Sequence, residues 1–164
     1  MAGDCSFDIV SQFDQQELIN CIDQTRREIQ TRYDLKNTKT EIEHDKKTIT
    51  IVTDSTLTLK SVRDVLESKA VRRNLSLKIF KPGKEEDAAG GRVRQAIQLQ
   101  EGISQELGKD IGKFIRETHP KVRTQMQSDA VRVIAKSRDE LQAVIASLKA
   151  KDYPVPLQFI NYRS

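Results

Sequence analysis

The spacing of apolar residues in this chain switches between a period of two and a helical period in an order that occurs twice. That order is strand, helix, strand, strand, helix, strand, and few folds accommodate it. In the first half, Ser6–Val10 (SFDIV) alternates, with Phe7 and Ile9 on one face and Asp8 on the other. Asp14 and Glu17 have capping-box spacing, and Leu18, Ile22, Ile29 and Tyr33 then mark a helix of about five turns. Thr40–His44 and Thr48–Thr53 read as strands joined by the compact turn Asp45-Lys46-Lys47. Leu59, Val62, Leu66 and Ala70 form a second helical stripe, and Leu75–Phe80 alternates again up to Pro82-Gly83.

After a loop over Pro82–Arg92 the order repeats. Val93–Leu99 is a strand, and Ile103, Leu107, Ile111 and Phe114 lie on a helix that stops at His119-Pro120. Val122–Gln127 and Ala130–Lys136 form a hairpin about Ser128-Asp129, a helix follows from Ser137, and Leu157–Tyr162 is the last strand. Each half predicts a four-stranded antiparallel sheet with two helices on one face. The fold class is therefore α+β, two tandem ferredoxin-like (RNP-like) βαββαβ domains.

Two wirings satisfy this pattern. The first and fourth strands of such a sheet are antiparallel neighbours, so Leu75–Phe80 and Val93–Leu99 can close as a hairpin within one sheet. Val93–Leu99 would then fill the first-strand position of the first domain, and Ser6–Val10 would complete the second. Pattern alone leaves sequential and exchanged wirings equally open.

The stretch Ala130–Gln142 is the most suggestive of function. Val131, Val133 and Ala135 alternate with Arg132, Ile134 and Lys136, and Ser137 with Glu140 forms a capping box. A helix start presents free N–H groups, and Lys136 and Arg138 flank this one, which is the chemistry of a phosphate seat. The plainer reading is that Ser137 only caps, Asp139 only offsets the helix dipole, and the cations are solvated.

Composition narrows the function classes. Of 164 residues, 28 are basic and 24 acidic, so the net charge of +4 permits a polyanionic partner without demanding one. No apolar run reaches the roughly 20 residues that span a bilayer, and MAGDCSFDIV lacks a signal peptide's basic and apolar segments. Cys5 and Cys21 are too few for a disulfide framework or a zinc site. A cytoplasmic, monomeric protein without membrane contact is expected. His44 and His119 are distant in sequence, and no HExxH, GxSxG or Walker-type motif occurs, so no enzyme and no cofactor are expected.

Three motifs, SFDIV at the start, AKSRDELQAV in the fourth helix and QFINYR at the end, together resemble the YajQ family of small bacterial nucleotide-binding proteins. The resemblance spans essentially the whole chain. It implies tandem RNP-like domains that exchange their first strands: residues 14–101, completed by strand 93–99, and residues 1–13 with 102–164, completed by strand 6–10. It further implies a cytoplasmic nucleotide-binding protein without established catalysis, some members being associated with cyclic di-GMP and others with RNA. No role is inherited for the loop Pro82–Arg92.

RNA-recognition sheets stack bases on aromatics of their central strands. Thr48–Thr53 and Ala130–Lys136 would be such strands, and neither carries an aromatic. Under the exchanged wiring, Phe7, Phe159 and Tyr162 gather on adjacent edge strands of the second domain. Strict alternation there groups Phe159, Asn161 and Arg163 on one face and Ile160 with Tyr162 on the other. The candidate nucleotide site is thus Asp8, Arg132, Lys136, Ser137, Arg138, Asp139, Phe159, Asn161 and Arg163. Lys136, Arg138 and the N–H groups after Ser137 would take phosphate, and Arg132 or Arg163 the guanine O6 and N7. Asp8 or Asp139 would take guanine N1 and N2, and Phe7 or Phe159 would stack. Cyclic di-GMP, GTP or ATP are the ligands considered, with a regulatory protein partner downstream. The alternative is an RNA-binding protein with a diffuse basic surface made of Arg26-Arg27, Lys46-Lys47, Arg72-Arg73, Lys121 and Arg123.

Overall fold

Helices begin where capping side chains stand. The Asp14 carboxylate accepts from the N–H groups of Gln16 (2.9 Å) and Glu17 (3.2 Å), opening α1 (Gln15–Thr31). Ser55 accepts from Thr58 (3.1 Å) before α2 (Thr56–Arg72), and Ser104 accepts from Leu107 (3.1 Å) before α3 (Gln105–Thr118). Ser137 accepts from Glu140 (3.2 Å) before α4 (Arg138–Lys149). Each bond satisfies a donor that the helix itself leaves unpaired. The computed structural model describes residues 4–164. Residues 1–3, part of the expected second domain, lie outside the described residues.

The strands are β1 (Cys5–Val10), β2 (Glu41–His44), β3 (Thr48–Thr53), β4 (Phe80–Ala88), β5 (Arg92–Leu99), β6 (Arg123–Gln127), β7 (Ala130–Ala135) and β8 (Gln158–Arg163). They form two four-stranded sheets, ordered β2-β3-β5-β4 and β6-β7-β1-β8, with every pairing antiparallel. The chain divides accordingly into two compact units. One is continuous, Phe13–Gln100; the other is split, joining the residues up to Gln12 to Glu101–Ser164. β5 occupies the first-strand position of the continuous unit, and β1 lies in the sheet of the split unit. The wiring is the exchanged one.

Two expectations need correction. β1 is central, flanked by β7 and β8, and is not an edge strand. The fourth strand is not Leu75–Phe80: Leu77–Ile79 is a turn of 3-10 helix, and the strand begins at Phe80 and runs through Pro82-Gly83 to Ala88. β4 is an edge strand, so a proline without an N–H is tolerated on its unpaired side. The ladder with β5 shifts register between Pro82 and Glu85, and Gly83 fits there because a Cβ would lie 3.1 Å from the Ala96 carbonyl oxygen. The segment read as a loop is thus half of a hairpin, turned by Gly90 and Gly91 at φ 75° and 76°.

Alternation gives each sheet one face for its helices. Ile49, Ile51 and Ile97 pack with Leu18, Ile22, Val62 and Leu66 in the continuous unit. Phe7, Ile9, Val131 and Val133 pack with Ile111, Ile115, Leu141, Val144 and Leu148 in the split unit. The split unit's other sheet face carries no helix core and holds the expected site. Among the described residues no helix is long and apolar enough to cross a membrane.

Candidate functional site

The open sheet face of the split unit is built from the residues that alternation denies to the core. In β7, Val131, Val133 and Ala135 are buried, which leaves Arg132 and Ile134 outward. In β1, Phe7 and Ile9 are 0% exposed, which leaves Ser6 and Asp8 outward. The β1–β7 register then places Asp8 directly opposite Arg132. Arg132 Nε donates to Asp8 Oδ1 at 3.0 Å, and Asn161 Nδ2 donates to Asp8 Oδ2 at 3.0 Å. Both carboxylate oxygens are engaged. Burial alone would raise the Asp8 pKa, but these two hydrogen bonds and the charges of Arg132 and Arg163 outweigh it and hold the carboxyl below its usual range.

Asn161 reaches Asp8 because β8 is not regular. Ile160 pairs with Asp8 and Arg163 with Ser6, so one residue more than the ladder needs lies between these pairs. Asn161 absorbs the extra residue in the left-handed region at φ 58°, which asparagine tolerates better than most side chains. This bulge corrects the expected faces. Phe159 stands opposite Ile9 on the core side, its ring edge-on to Phe7 at 5.7 Å. Tyr162 also lies against Phe7, with ring centroids 5.9 Å apart. Asn161 and Arg163 share the Asp8 face with Ile160, without either aromatic. Neither Phe7 nor Phe159 is therefore available to stack a base on this face.

Cations collect at one end of the same sheet. Cys5 pairs with Ala135 and Ser6 with Arg163, so β1 starts where β7 and β8 finish and where α4 begins. Lys136, Arg138 and Arg163 consequently lie at that end, and none forms an ion pair with a described residue. A cleft of about 360 Å³ opens there, lined by Cys5, Arg138, Leu141, Gln142, Tyr162 and Arg163. Ser137 caps α4 through Glu140, which leaves the N–H groups of Arg138 and Asp139 unengaged by described residues. Arg132 lies three positions inward of Ala135, roughly 10 Å at about 3.3 Å per strand residue.

Over residues 5–163 the chain matches the family described as nucleotide-binding protein YajQ-like. Proteins named nucleotide-binding protein from Trichodesmium erythraeum and Chloroflexus aggregans are each 59% identical to it, over 163 and 165 residues. A third, from Trichormus variabilis, is 56% identical over 163 residues, and in all three cases 99% of this chain and 100% of the relative are covered. The chain belongs to the YajQ family.

Within this YajQ-family chain the expected residues divide into those the structure brings together and those it does not. Asp8, Arg132 and Asn161 form one bonded cluster; Lys136, Ser137, Arg138 and Arg163 gather at the sheet end beside it. Asp139 sits exposed in the first turn of α4 with no bond to the cluster, and Phe159 belongs to the core side. Sequence reasoning missed the cleft and the part played in it by Tyr162, which is 57% exposed. The signal that could have found it is the asparagine ahead of Tyr162-Arg163, a residue that accommodates a bulge. Among the described residues no group of three or more histidine, cysteine, aspartate or glutamate side chains could hold a metal ion.

The basic residues expected to contact RNA are partly committed within the chain. Arg26 bonds the Ile42 carbonyl and Asp23, Arg73 bonds Glu17 (3.2 Å) and Gln24 (3.3 Å), and Arg123 pairs with Asp4 (3.3 Å). In the continuous unit Arg27, Lys69, Arg72 and Arg73 line one groove with Glu17 and Glu28, and Lys69 is paired to Glu28 at 2.9 Å. The groove is thus half neutralised by its own walls.

Proposed function

We propose that this chain is a nucleotide-binding protein that holds a guanine nucleotide on its split unit and does not turn it over. The observation that carries the reading is a fixed Arg132 guanidinium three positions from the end of β7, roughly 10 Å at about 3.3 Å per strand residue. Beyond that end stand Lys136 and Arg138, with Arg163 two positions from Asp8 on the same face, and none of the three has an ion-pair partner among the described residues. That spacing suits a ligand with a base at one end and phosphate at the other. Lys136, Arg138, Arg163 and the first N–H groups of α4 take the phosphate, as a helix start with flanking cations is suited to do. Arg132 donates to O6 and N7 of guanine, a pairing that the amino group of adenine disfavours. The relatives named nucleotide-binding protein support the ligand class.

The non-enzymatic part of the reading rests on what faces that ligand. Turnover needs a nucleophile beside a base, or a carboxylate free to act as one. The carboxylate in the cluster, Asp8, has both oxygens engaged, and His119 donates to or accepts from Ser147 (2.9 Å) away from the cluster. Support for cyclic di-GMP as the particular ligand, and for an effector role passed on to a protein partner, is the family resemblance rather than this geometry.

The test is calorimetric titration of the full-length protein with GTP, cyclic di-GMP and ATP, repeated on Arg132→Ala with Lys136→Ala after circular dichroism confirms the fold. Loss of two charged contacts should cost roughly 2–5 kcal/mol, well over tenfold in affinity. An intact fold with unchanged affinity would refute the site. RNA held by several phosphates would instead weaken steeply as salt rises, which separates the alternative.

A further inference from the structure

If the base meets Arg132, the bonding of Asp8 determines what the site can distinguish. Guanine carries acceptors at O6 and N7 and donors at N1 and on its 2-amino group, and hypoxanthine has all of these except the 2-amino group. A carboxylate aimed at N1 and N2 would recognise guanine alone. Asp8 is the carboxylate of this cluster, and its side chain is 11% exposed with one oxygen on Arg132 and the other on Asn161. Its remaining lone pairs are shielded from a ligand on the face. Arg132, by contrast, is 25% exposed and has only its Nε committed, so the N–H groups of both terminal nitrogens remain for a ligand. These are donors without exception.

We infer that the site reads a purine only at its O6 and N7 edge, through Arg132 held in place by Asp8. It therefore accepts hypoxanthine nucleotides as readily as guanine nucleotides and discriminates against adenine. The inference rests on the nucleotide-binding reading above and adds to it the chemical feature recognised. Asp8 is a positioning residue: it orients the guanidinium and leaves the base untouched. Adenine is disfavoured because its 6-amino group meets donors with a donor. No carboxylate of the cluster is free to accept from the 2-amino group of guanine, since both Asp8 oxygens are taken and Asn161, whose amide oxygen is the cluster's other acceptor, is tied to Asp8 by its Nδ2.

The experiment uses full-length protein at one fixed salt concentration and four ligands with the same phosphate chain: GTP, ITP, ATP and 7-deaza-GTP. GTP and ITP should bind within about threefold of each other, and ATP and 7-deaza-GTP roughly tenfold or more weaker, the size of one lost bidentate contact. ITP bound tenfold more weakly than GTP would overturn the inference while leaving nucleotide binding intact, as would 7-deaza-GTP bound as tightly as GTP. Binding of none of the four would refute the proposed function itself and the inference with it. A second arm uses Arg132→Lys, which keeps the charge and loses the planar fork. Its GTP-to-ATP preference should fall to about threefold or less with unchanged circular dichroism. Full retention of the preference would overturn the assignment to Arg132. Asp8→Asn, which weakens the hold on the guanidinium, should lower the same preference, a readout that loss of stability alone would leave in place.

Discussion

Cutting the chain between Gln100 and Glu101 should leave one folding fragment and one that does not fold, because β1 and its partners lie on opposite sides of the cut. Residues 13–100 keep all four strands of their sheet. Residues 101–164 lose the strand between β7 and β8, and with it Phe7 and Ile9, both 0% exposed. A fully buried side chain of this size contributes roughly 1.5–3 kcal/mol, so these two account for about 3–6 kcal/mol before Cys5 and Val10 are considered. Two ladders are also broken, and Arg132 and Asn161 are left without Asp8. A small domain has a net stability of only about 5–15 kcal/mol, so the loss is of the same size as the whole. Far-UV circular dichroism and urea titration of the two fragments provide the assay, with a peptide of residues 4–12 added to 101–164. The expected result is a cooperative transition for 13–100, none for 101–164, and recovery of one with the peptide. A cooperative urea transition of 101–164 alone would refute the reasoning.

Asp8→Asn should destabilise the protein by about 1–3 kcal/mol near neutral pH, a difference that shrinks as the solution is acidified. The folded carboxyl titrates below its ordinary value of 3.8, so its stabilisation is complete above that value and is lost as pH falls through the folded pKa. Urea midpoints of both proteins at several pH values measure this, and a gap that persists unchanged into acid would contradict it. Gly108→Ala should reverse sign with its background. Alanine favours a helix over glycine by about 1 kcal/mol, but a Cβ there would stand 2.5 Å from Met126 Sδ. The substitution should be neutral or destabilising in the native chain and stabilising once Met126→Ala removes the obstacle. A double-mutant cycle of urea midpoints with no coupling would show that the contact does not limit the site.

The parts of the fold that are local in sequence were legible. Asp14 and Ser137 mark helix starts because a cap is a bond between residues two or three apart. The hairpin at Asp45 is likewise a local device, its carboxylate accepting from the N–H groups of Lys47 (2.7 Å) and Thr48 (2.8 Å). β4 was not legible, because Pro82-Gly83 reads as a break unless the strand is known to lie at an edge, and edge position is a property of the whole sheet. Of the candidate site, the outward position of Arg132 followed from alternation, and that of Asp8 once β1 was placed in the second sheet. The coupling of Asp8 to Arg132 required the register between strands far apart in sequence, which no local pattern states. Alternation groups Phe159 with Asn161 and Arg163 only when it is carried across a residue that interrupts it.

That interruption at Asn161 has a consequence for how such a sheet changes its chemistry. In an unbroken ladder Tyr162 would stand opposite Ser6, on the face that holds Arg132, and Arg163 would turn toward the helices. One additional residue shifts the phase by a single step and exchanges them. The outward surface carries a cation where the same side chains in the other phase would offer an aromatic ring beside an arginine, the ingredients of a stacking platform. Phe159 anchors the strand upstream of the shift, so its edge-on contact with Phe7 is the same in either phase. Moving, adding or removing one bulge is thus a short route, in sequence change, between a surface that presents a cation and one that presents an aromatic ring.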